Sequence, residues 1–417
     1  MHATSVLKQE AASVSDVHLV TATLVYNIGY FAQYPRYDGK AFCRNMTESN
    51  DKSYLERLVR VNNLVFPDSI VYRNNTNNST HMGGPDSIYT WQMCRDLRRL
   101  QPQNQTGSGL GDSNARHYWI SRCQNGTNTT AQQHSPEEGQ HSGKRGYWGT
   151  NVVFTNGALD AHAVKIIKEE IADDSVVAIT IEGAKQGDDL TIDTINKYVI
   201  EAQAAILNNI RKWIGQNNLS LNKAGELRLQ DNETAEYTIE DDESGTIAQK
   251  LDHFNQSDKR TFKQHYVYTT KYGSSGDINF LYISTILTDH PFANKSILSY
   301  AKEFGADLYA LEHRFFGKST PEQLRSGDFA ISGTNHSNNL DLLQHDTSRQ
   351  AIEDVRTFIE YIQKQKEIAG NNKKQRWIAV AGGFAGSVAV WFRAKYPQYV
   401  VGAIGSSPIL KSQMTFD

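Results

Sequence analysis

The 417-residue chain is long enough for one large domain or two smaller ones. Its formal charge of −3 leaves no basic footprint, so neither nucleic acid nor an anionic membrane is expected as a partner. No apolar run approaches the length that crosses a bilayer, so no membrane span is expected. Met1 to Asp16 has no apolar core resembling a signal peptide. Yet Asn-x-Ser/Thr sequons occur at Asn45, Asn74, Asn77, Asn78, Asn104, Asn125, Asn128, Asn218, Asn232, Asn255, Asn294 and Asn335. An Asn-rich chain gives several by chance, but their number in polar segments fits a secreted or lysosomal glycoprotein better. Met1 is then not expected to be the natural start. Three cysteines, Cys43, Cys94 and Cys123, allow one disulfide and leave one thiol over.

From about Ser13 to Gln103 the chain mixes helical apolar spacing with loops, with Tyr54 to Val65 and Tyr89 to Leu100 the clearest helices. Pro102 to Gly146 is rich in Asn, Gln, Thr, Ser and Gly and reads as loop. Asn151–Thr155 and Ser175–Ile181 are buried-type strands, with helical spacing between them over Ala163 to Ile171. A long amphipathic helix is predicted over Ile192 to Ile214, with Ile195, Val199, Ala202, Ile206, Ile210 and Trp213 on one side. Residues 216–246 are polar and acidic, without apolar period, and read as a linker. Beyond them Thr261–Thr269, Ile278–Ser284, Asp307–Glu312, Trp377–Ala381 and Val400–Ile404 read as strands. Ile297–Phe304, Ser348–Gln363 and Gly386–Lys395 read as helices, the first capped by Gly305. Alternating β and α segments predict a mostly parallel sheet with helices on both faces.

Trp377 to Trp391 reads strand, glycine turn, helix, the local form of a nucleophile elbow, although any tight strand-to-helix junction has this form. Around it stand several motifs in order. They are Gln249-Lys-Leu-Asp-His-Phe254, Phe280-Leu-Tyr-Ile283, Leu311-Glu-His-Arg-Phe-Phe-Gly-Lys-Ser319, Trp391-Phe-Arg-Ala-Lys-Tyr-Pro397 and Gly402-Ala-Ile-Gly-Ser-Ser-Pro408. On these residues about Thr246 to Ser407 resembles the N-terminal half of the serine carboxypeptidase family of Pro-X carboxypeptidase, dipeptidyl peptidase II and thymus-specific serine protease. About Tyr26 to Trp213 resembles the C-terminal half, through Ala32-Gln-Tyr34, Trp91-Gln-Met-Cys94, Asn151-Val-Val-Phe-Thr-Asn-Gly-Ala-Leu-Asp160 and Ile181-Glu-Gly-Ala184. The halves stand in inverted order, which a circular permutation or a fragment of a tandem array would both produce. The stretch that in the family joins Ser407-Pro408 to the region like Tyr26 is partly missing, which favours the fragment.

The resemblance implies an α/β-hydrolase with a helical cap. Residues 1–146 are then cap-like helices and polar loops, and 147–216 the C-terminal half. An acidic linker occupies 217–246, and 247–417 form the half with the elbow. It also implies a Ser-His-Asp mechanism, with no cofactor and no metal. The family elbow Gly-Gly-Ser-Tyr-Gly-Gly falls on Ala381-Gly-Gly-Phe-Ala-Gly386, which puts Gly383 at the nucleophile position. Ser387, the nearest hydroxyl, lies one turn into the helix and reads as a packing or capping residue. Asp160 fits the triad carboxylate, or is simply an Asp ending a strand. Gln186 stands where the family has its histidine, and His162 reads as a loop residue. The loop after Ile283 reads Ser284-Thr-Ile-Leu287 where the family has Gly-Gly-Glu-Gly. A side chain must attack and a base must take its proton, and neither Gly nor Gln can do so. Loss of a triad member lowers turnover by roughly 10⁴ to 10⁶.

The expectation is a pseudopeptidase, binding peptides or partnering an active relative. The alternatives are an active exopeptidase completed by residues outside this chain, or a fragmentary gene product. Glu312, His313 and Arg314 are candidate substrate-binding residues, or equally a structural ion-pair cluster.

Overall fold

In this computed structural model the described residues are 147–160, 175–192, 195–215, 241–325 and 341–410, with the single helical positions Arg44, Thr47, Arg57, Arg60 and Gln92. The expected cap helices are represented by those positions alone. Cys43, Cys94, Cys123, His162 and the 163–171 helix lie outside the described residues.

Eight strands form one sheet: β1 (Val152–Gly157), β2 (Val176–Ile181), β3 (Glu243–Lys250), β4 (Thr261–Thr269), β5 (Ile278–Ser284), β6 (Asp307–Glu312), β7 (Arg376–Gly382) and β8 (Gly402–Ser406). Their order across the sheet is β2-β1-β8-β7-β5-β6-β4-β3. β3 pairs antiparallel with β4, and β4 antiparallel with β6, while every other pairing is parallel. The strands that come first in the chain are thus last in the sheet, added beyond β8.

Parallel strands covered on both faces need apolar residues at successive positions, and β7 supplies them. Its Trp377, Ala379 and Ala381 face α3 (Ser348–Ile368) and α4 (Gly383–Lys395), packing with Ile352, Val355 and Val388. Ile378 and Val380 face the other way, toward Ile206 and Ile210 of α1 (Lys197–Trp213) and Ala301 of α2 (Ser296–Phe304). This three-layer arrangement, a mostly parallel sheet between helices, is the α/β-hydrolase class.

The halves are knit by more than the β1–β8 ladder, in which Val152 pairs with Ala403 and Thr155 with Ser406. Asn151 Nδ2 donates to Val401 O at 2.9 Å, Arg393 Nε to Thr150 O at 2.7 Å, and the Tyr147 hydroxyl to Val390 O at 2.7 Å. The chain between Gly215 and Glu243 can reach from one body of strands to the other. Eight strands span roughly 34 Å at their usual spacing, whereas 27 residues extend to about 90 Å.

Three elements depart from the sequence reading. The 192–214 helix begins only at Lys197, because the Asn196 side chain accepts the Tyr198 N–H and caps it. Ile195, expected on the apolar side, is therefore outside the helix and fully exposed. The acidic linker ends early, since Glu243–Lys250 is an edge strand whose alternation burying Ile247 and Gln249 is too short to stand out in sequence. The elbow helix starts at Gly383 rather than Gly386, because Gly383 itself makes the turn.

Candidate active site

β7 is a central strand whose neighbours are β5 and β8, and its C-terminal end carries the strand-to-helix turn. Gly382 is extended, at φ −121° and ψ 156°, and Gly383 turns to φ +59°. That left-handed conformation costs an L-residue roughly 1–2 kcal/mol, and holding such a residue there is what exposes the side chain of a nucleophile elbow. Here the position carries no side chain. Among the described residues, a Cβ built on Gly383 would meet Gln186 Nε2 at 3.5 Å and no other heavy atom within 4 Å outside its own helix and chain neighbours.

Gln186 arrives from the loop after β2, the outermost strand. The turn is closed by Lys185 N–H donating to Asp188 Oδ2 at 2.7 Å, and Gly187 follows at φ +78°. Asp160 sits just beyond β1, buried, with its N–H on Gly157 O at 3.0 Å. Its loop is tied to that of Gln186 by Ala158 N–H to Ile181 O and Leu159 N–H to Ala184 O, both 2.9 Å. Gly157 permits this approach: a Cβ there would stand 2.3 Å from Ala184 O. The three positions that the sequence assigned to the triad, from the two ends of the chain, are thus carried by loops at one end of one sheet, with 186 directly over 383.

The Ser284–Leu287 loop beside the elbow is held by its own backbone and by Glu312. Ser284 Oγ donates to Ile286 O at 2.9 Å, and Leu287 N–H donates to Glu312 Oε1 at 3.0 Å. The other carboxylate oxygen of Glu312 accepts from Ser319 N–H and Oγ, both at 2.8 Å. Burial raises the Glu312 pKa, with these donors opposing.

Arg314 is fully buried and spends its guanidinium inside the protein. Nε and Nη2 grip Asp354 at 2.7 Å each, and Nη1 and Nη2 also reach the carbonyls of Leu251, His345 and Lys250. His253 Nε2 lies 2.7 Å from the same carboxylate.

His313 is buried against the elbow, its ring 5.3 Å from that of Phe384. Its Nδ1 faces Arg314 O at 3.0 Å, and a carbonyl only accepts, so Nδ1 carries the hydrogen. Nε2 is then the acceptor for the Gln92 amide, 3.3 Å away. Burial lowers the His313 pKa to about 4, with the bond to Arg314 O opposing.

Ser387, the nearest hydroxyl in sequence, is fully buried and closes on one residue: Oγ donates to Ile409 O at 2.8 Å and accepts Ile409 N–H at 2.7 Å. It packs the helix and does not open toward the elbow. Two residues at the site had no role in the sequence reading. Gln92 belongs to the quoted Trp91–Cys94 motif, but only the fold shows that it meets His313. Asp189 sits in a polar run with nothing to distinguish it from its neighbour Asp188. Among the described residues no group of His, Cys, Asp and Glu is placed to hold a metal ion, and no helix is long and apolar enough to cross a membrane.

A scaffold of the α/β-hydrolase class is what this sheet and its strand-to-helix turn define. Residues 28–199 and 249–417 match the family described as Serine carboxypeptidase S28, and the chain belongs to that family. A Caenorhabditis elegans protein carrying a serine-protease name is 36% identical over 174 residues, 41% of this chain and 29% of that protein. Lysosomal Pro-X carboxypeptidase of Bos taurus is 35% identical over 164 residues, 39% of this chain and 30% of its own. Thymus-specific serine protease of Mus musculus is 31% identical over 181 residues, 41% and 31%. The matched part of this chain spans about 30% of the length of these relatives.

Proposed function

We propose that the chain is a catalytically inactive member of its family, a pseudopeptidase that keeps the hydrolase body for binding peptides or for partnership with an active relative. One observation carries this reading: the position over which residue 186 lies is a glycine, and the group above it is an amide 3.5 Å from where a Cβ would be. Neither can attack a carbonyl or take up a proton near neutral pH. Asp160 then keeps the triad-carboxylate position without a base to orient. Glu312, His313 and Arg314 act as scaffold rather than as substrate ligands. Each spends its polar atoms internally, and Glu312 fixes the loop that would line an oxyanion site.

The two halves are read as one permuted hydrolase body, the 147–216 unit completing the sheet begun by 247–417. The pairing of Thr155 with Ser406 supports it, because it sets the loops of β1 and β2 beside the elbow. A secreted or lysosomal location is proposed from the sequons and from the lysosomal name of one relative.

The test is a fluorophosphonate probe on the folded protein, beside a Gly383→Ser/Gln186→His double variant. The expected result is no labelling of the unaltered chain and labelling of the double variant at position 383 alone. Labelling of the unaltered chain would overturn the inactive reading. Silence of a folded double variant would overturn the reading of one site complete but for two side chains.

A further inference from the structure

Gln186 lies over Gly383 although the two are far apart in the sequence, and something must hold its loop there. We propose that Asp189 is the positioning residue of this site, a buried clip that fixes residue 186 above residue 383. The inference deepens the reading of a permuted site and rests on it in part.

The Asp189 side chain is 2% exposed and accepts two short hydrogen bonds, from Ser406 Oγ to Oδ1 at 2.6 Å and from Thr155 Oγ1 to Oδ2 at 2.7 Å. Those donors are register partners in the β1–β8 ladder, and Ser406 is in turn paired with Gly382 of β7, the residue before Gly383. A single carboxyl therefore straddles the C-terminal ends of β1 and β8, next to the elbow strand. The main chain at the same point is gripped from the helix layer: Gln203 Nε2 of α1 donates to Asp189 O at 2.9 Å and to Thr191 O at 2.6 Å. The next side chain, Leu190, lies against Gly382, where a Cβ would stand 2.8 Å from Leu190 Cδ1. Between Asp189 and Gln186 there is only the tight turn of Gly187 and Asp188, closed by Leu190 N–H to Gly187 O at 3.0 Å and Thr191 N–H to Asp188 O at 3.2 Å. The position of residue 186 is thus set three residues away.

Among the described residues no cation pairs with this buried carboxyl, which is costly, and burial raises the Asp189 pKa, with Ser406 and Thr155 opposing. An apolar side chain would fill the space without joining the strands, so the hydroxyl bonds are the distinctive contribution of an acid here. Both carboxylate oxygens are engaged by Ser406 and Thr155, so the carboxyl acts through the loop that bears residue 186.

Two readouts separate the clip from the site it serves. In the otherwise unaltered chain, hydrogen exchange of the 182–192 segment is compared for Asp189→Leu, Asp189→Asn and Thr155→Val, with 376–382 of β7 as control. The clip predicts exchange at least tenfold faster in 182–192 for Asp189→Leu, and faster for Thr155→Val, with β7 unchanged. Asn can accept one hydroxyl and donate to the other oxygen, so Asp189→Asn is expected to restore slow exchange. In the Gly383→Ser/Gln186→His background, Asp189→Leu is expected to slow fluorophosphonate labelling at least tenfold and Asp189→Asn much less. Unchanged exchange in Asp189→Leu, or an equal rise in 182–192 and 376–382, would overturn the proposal. If exchange responds as stated while no repaired variant labels, the clip stands and the site reading falls.

Discussion

Replacing Gly383 by alanine tests whether the proposed nucleophile position is open space held in an elbow, or a site that has closed in. At φ +59° an L-residue costs roughly 1–2 kcal/mol, while loss of glycine's freedom in the unfolded chain returns about 0.4–1 kcal/mol. The described residues add no steric cost, because the nearest of their heavy atoms to the new Cβ is Gln186 Nε2 at 3.5 Å, an ordinary contact. The net loss is therefore about 0–1.6 kcal/mol. Gly157→Ala is the counterpart. Its backbone is unstrained, but its Cβ would stand 2.3 Å from Ala184 O and 2.5 Å from Lys185 O, main-chain atoms that cannot rotate away. Overpacking of that kind costs about 1–3 kcal/mol and occasionally more, and here it would push aside the loop bearing Gln186. Urea denaturation midpoints at constant slope give both differences. A Gly383→Ala loss of about 3 kcal/mol or more, or a Gly157→Ala loss well below about 1 kcal/mol, would refute the geometry on which the functional reading stands.

Asp354→Asn should destabilise the protein by about 3–5 kcal/mol, because it leaves the fully buried Arg314 without its counter-charge; a denaturation midpoint near that of the unaltered protein would contradict the scaffold role of this cluster. His313 contributes to the pH dependence, together with His265 and His345, whose pKa values burial also lowers. The folded pKa of His313, about 4, lies below its unfolded value, so its contribution is present above the unfolded value and is lost as the pH falls through the folded one. From pH 7 to pH 5 this group alone removes about 2 kcal/mol, and His313→Gln should make that part of the stability profile shallower.

Much of the fold was legible because its causes are local. Trp377–Ala381 and Phe280–Ile283 are short unbroken apolar runs, as a strand covered on both faces requires. Gly305 read as a helix cap because the left-handed turn it makes favours glycine. The edge strand Glu243–Lys250 was not legible, since its pairing with β4 is what makes it a strand and its composition is that of a solvated linker. The late start of α1 was hidden for a similar reason, as apolar periodicity continues through Ile195 while the Asn196 cap, a single side-chain bond, stops the helix.

The sequence by itself determined the family, the elbow, and which residue types stand at Asp160, Gln186 and Gly383, because motif and spacing are properties of the chain. It could not decide whether inverted halves make one sheet, since that depends on contacts between residues about 250 positions apart. Tertiary structure joins Thr155 to Ser406, and with them the loops that carry the proposed site. It alone shows Ser387 sealed by Ile409 and Arg314 consumed by Asp354, because burial and hydrogen-bond partners do not exist until the chain folds. It alone also distinguishes Asp189 from Asp188: two adjacent acids of identical chemistry, one of which turns inward beneath the strands and reaches both hydroxyls.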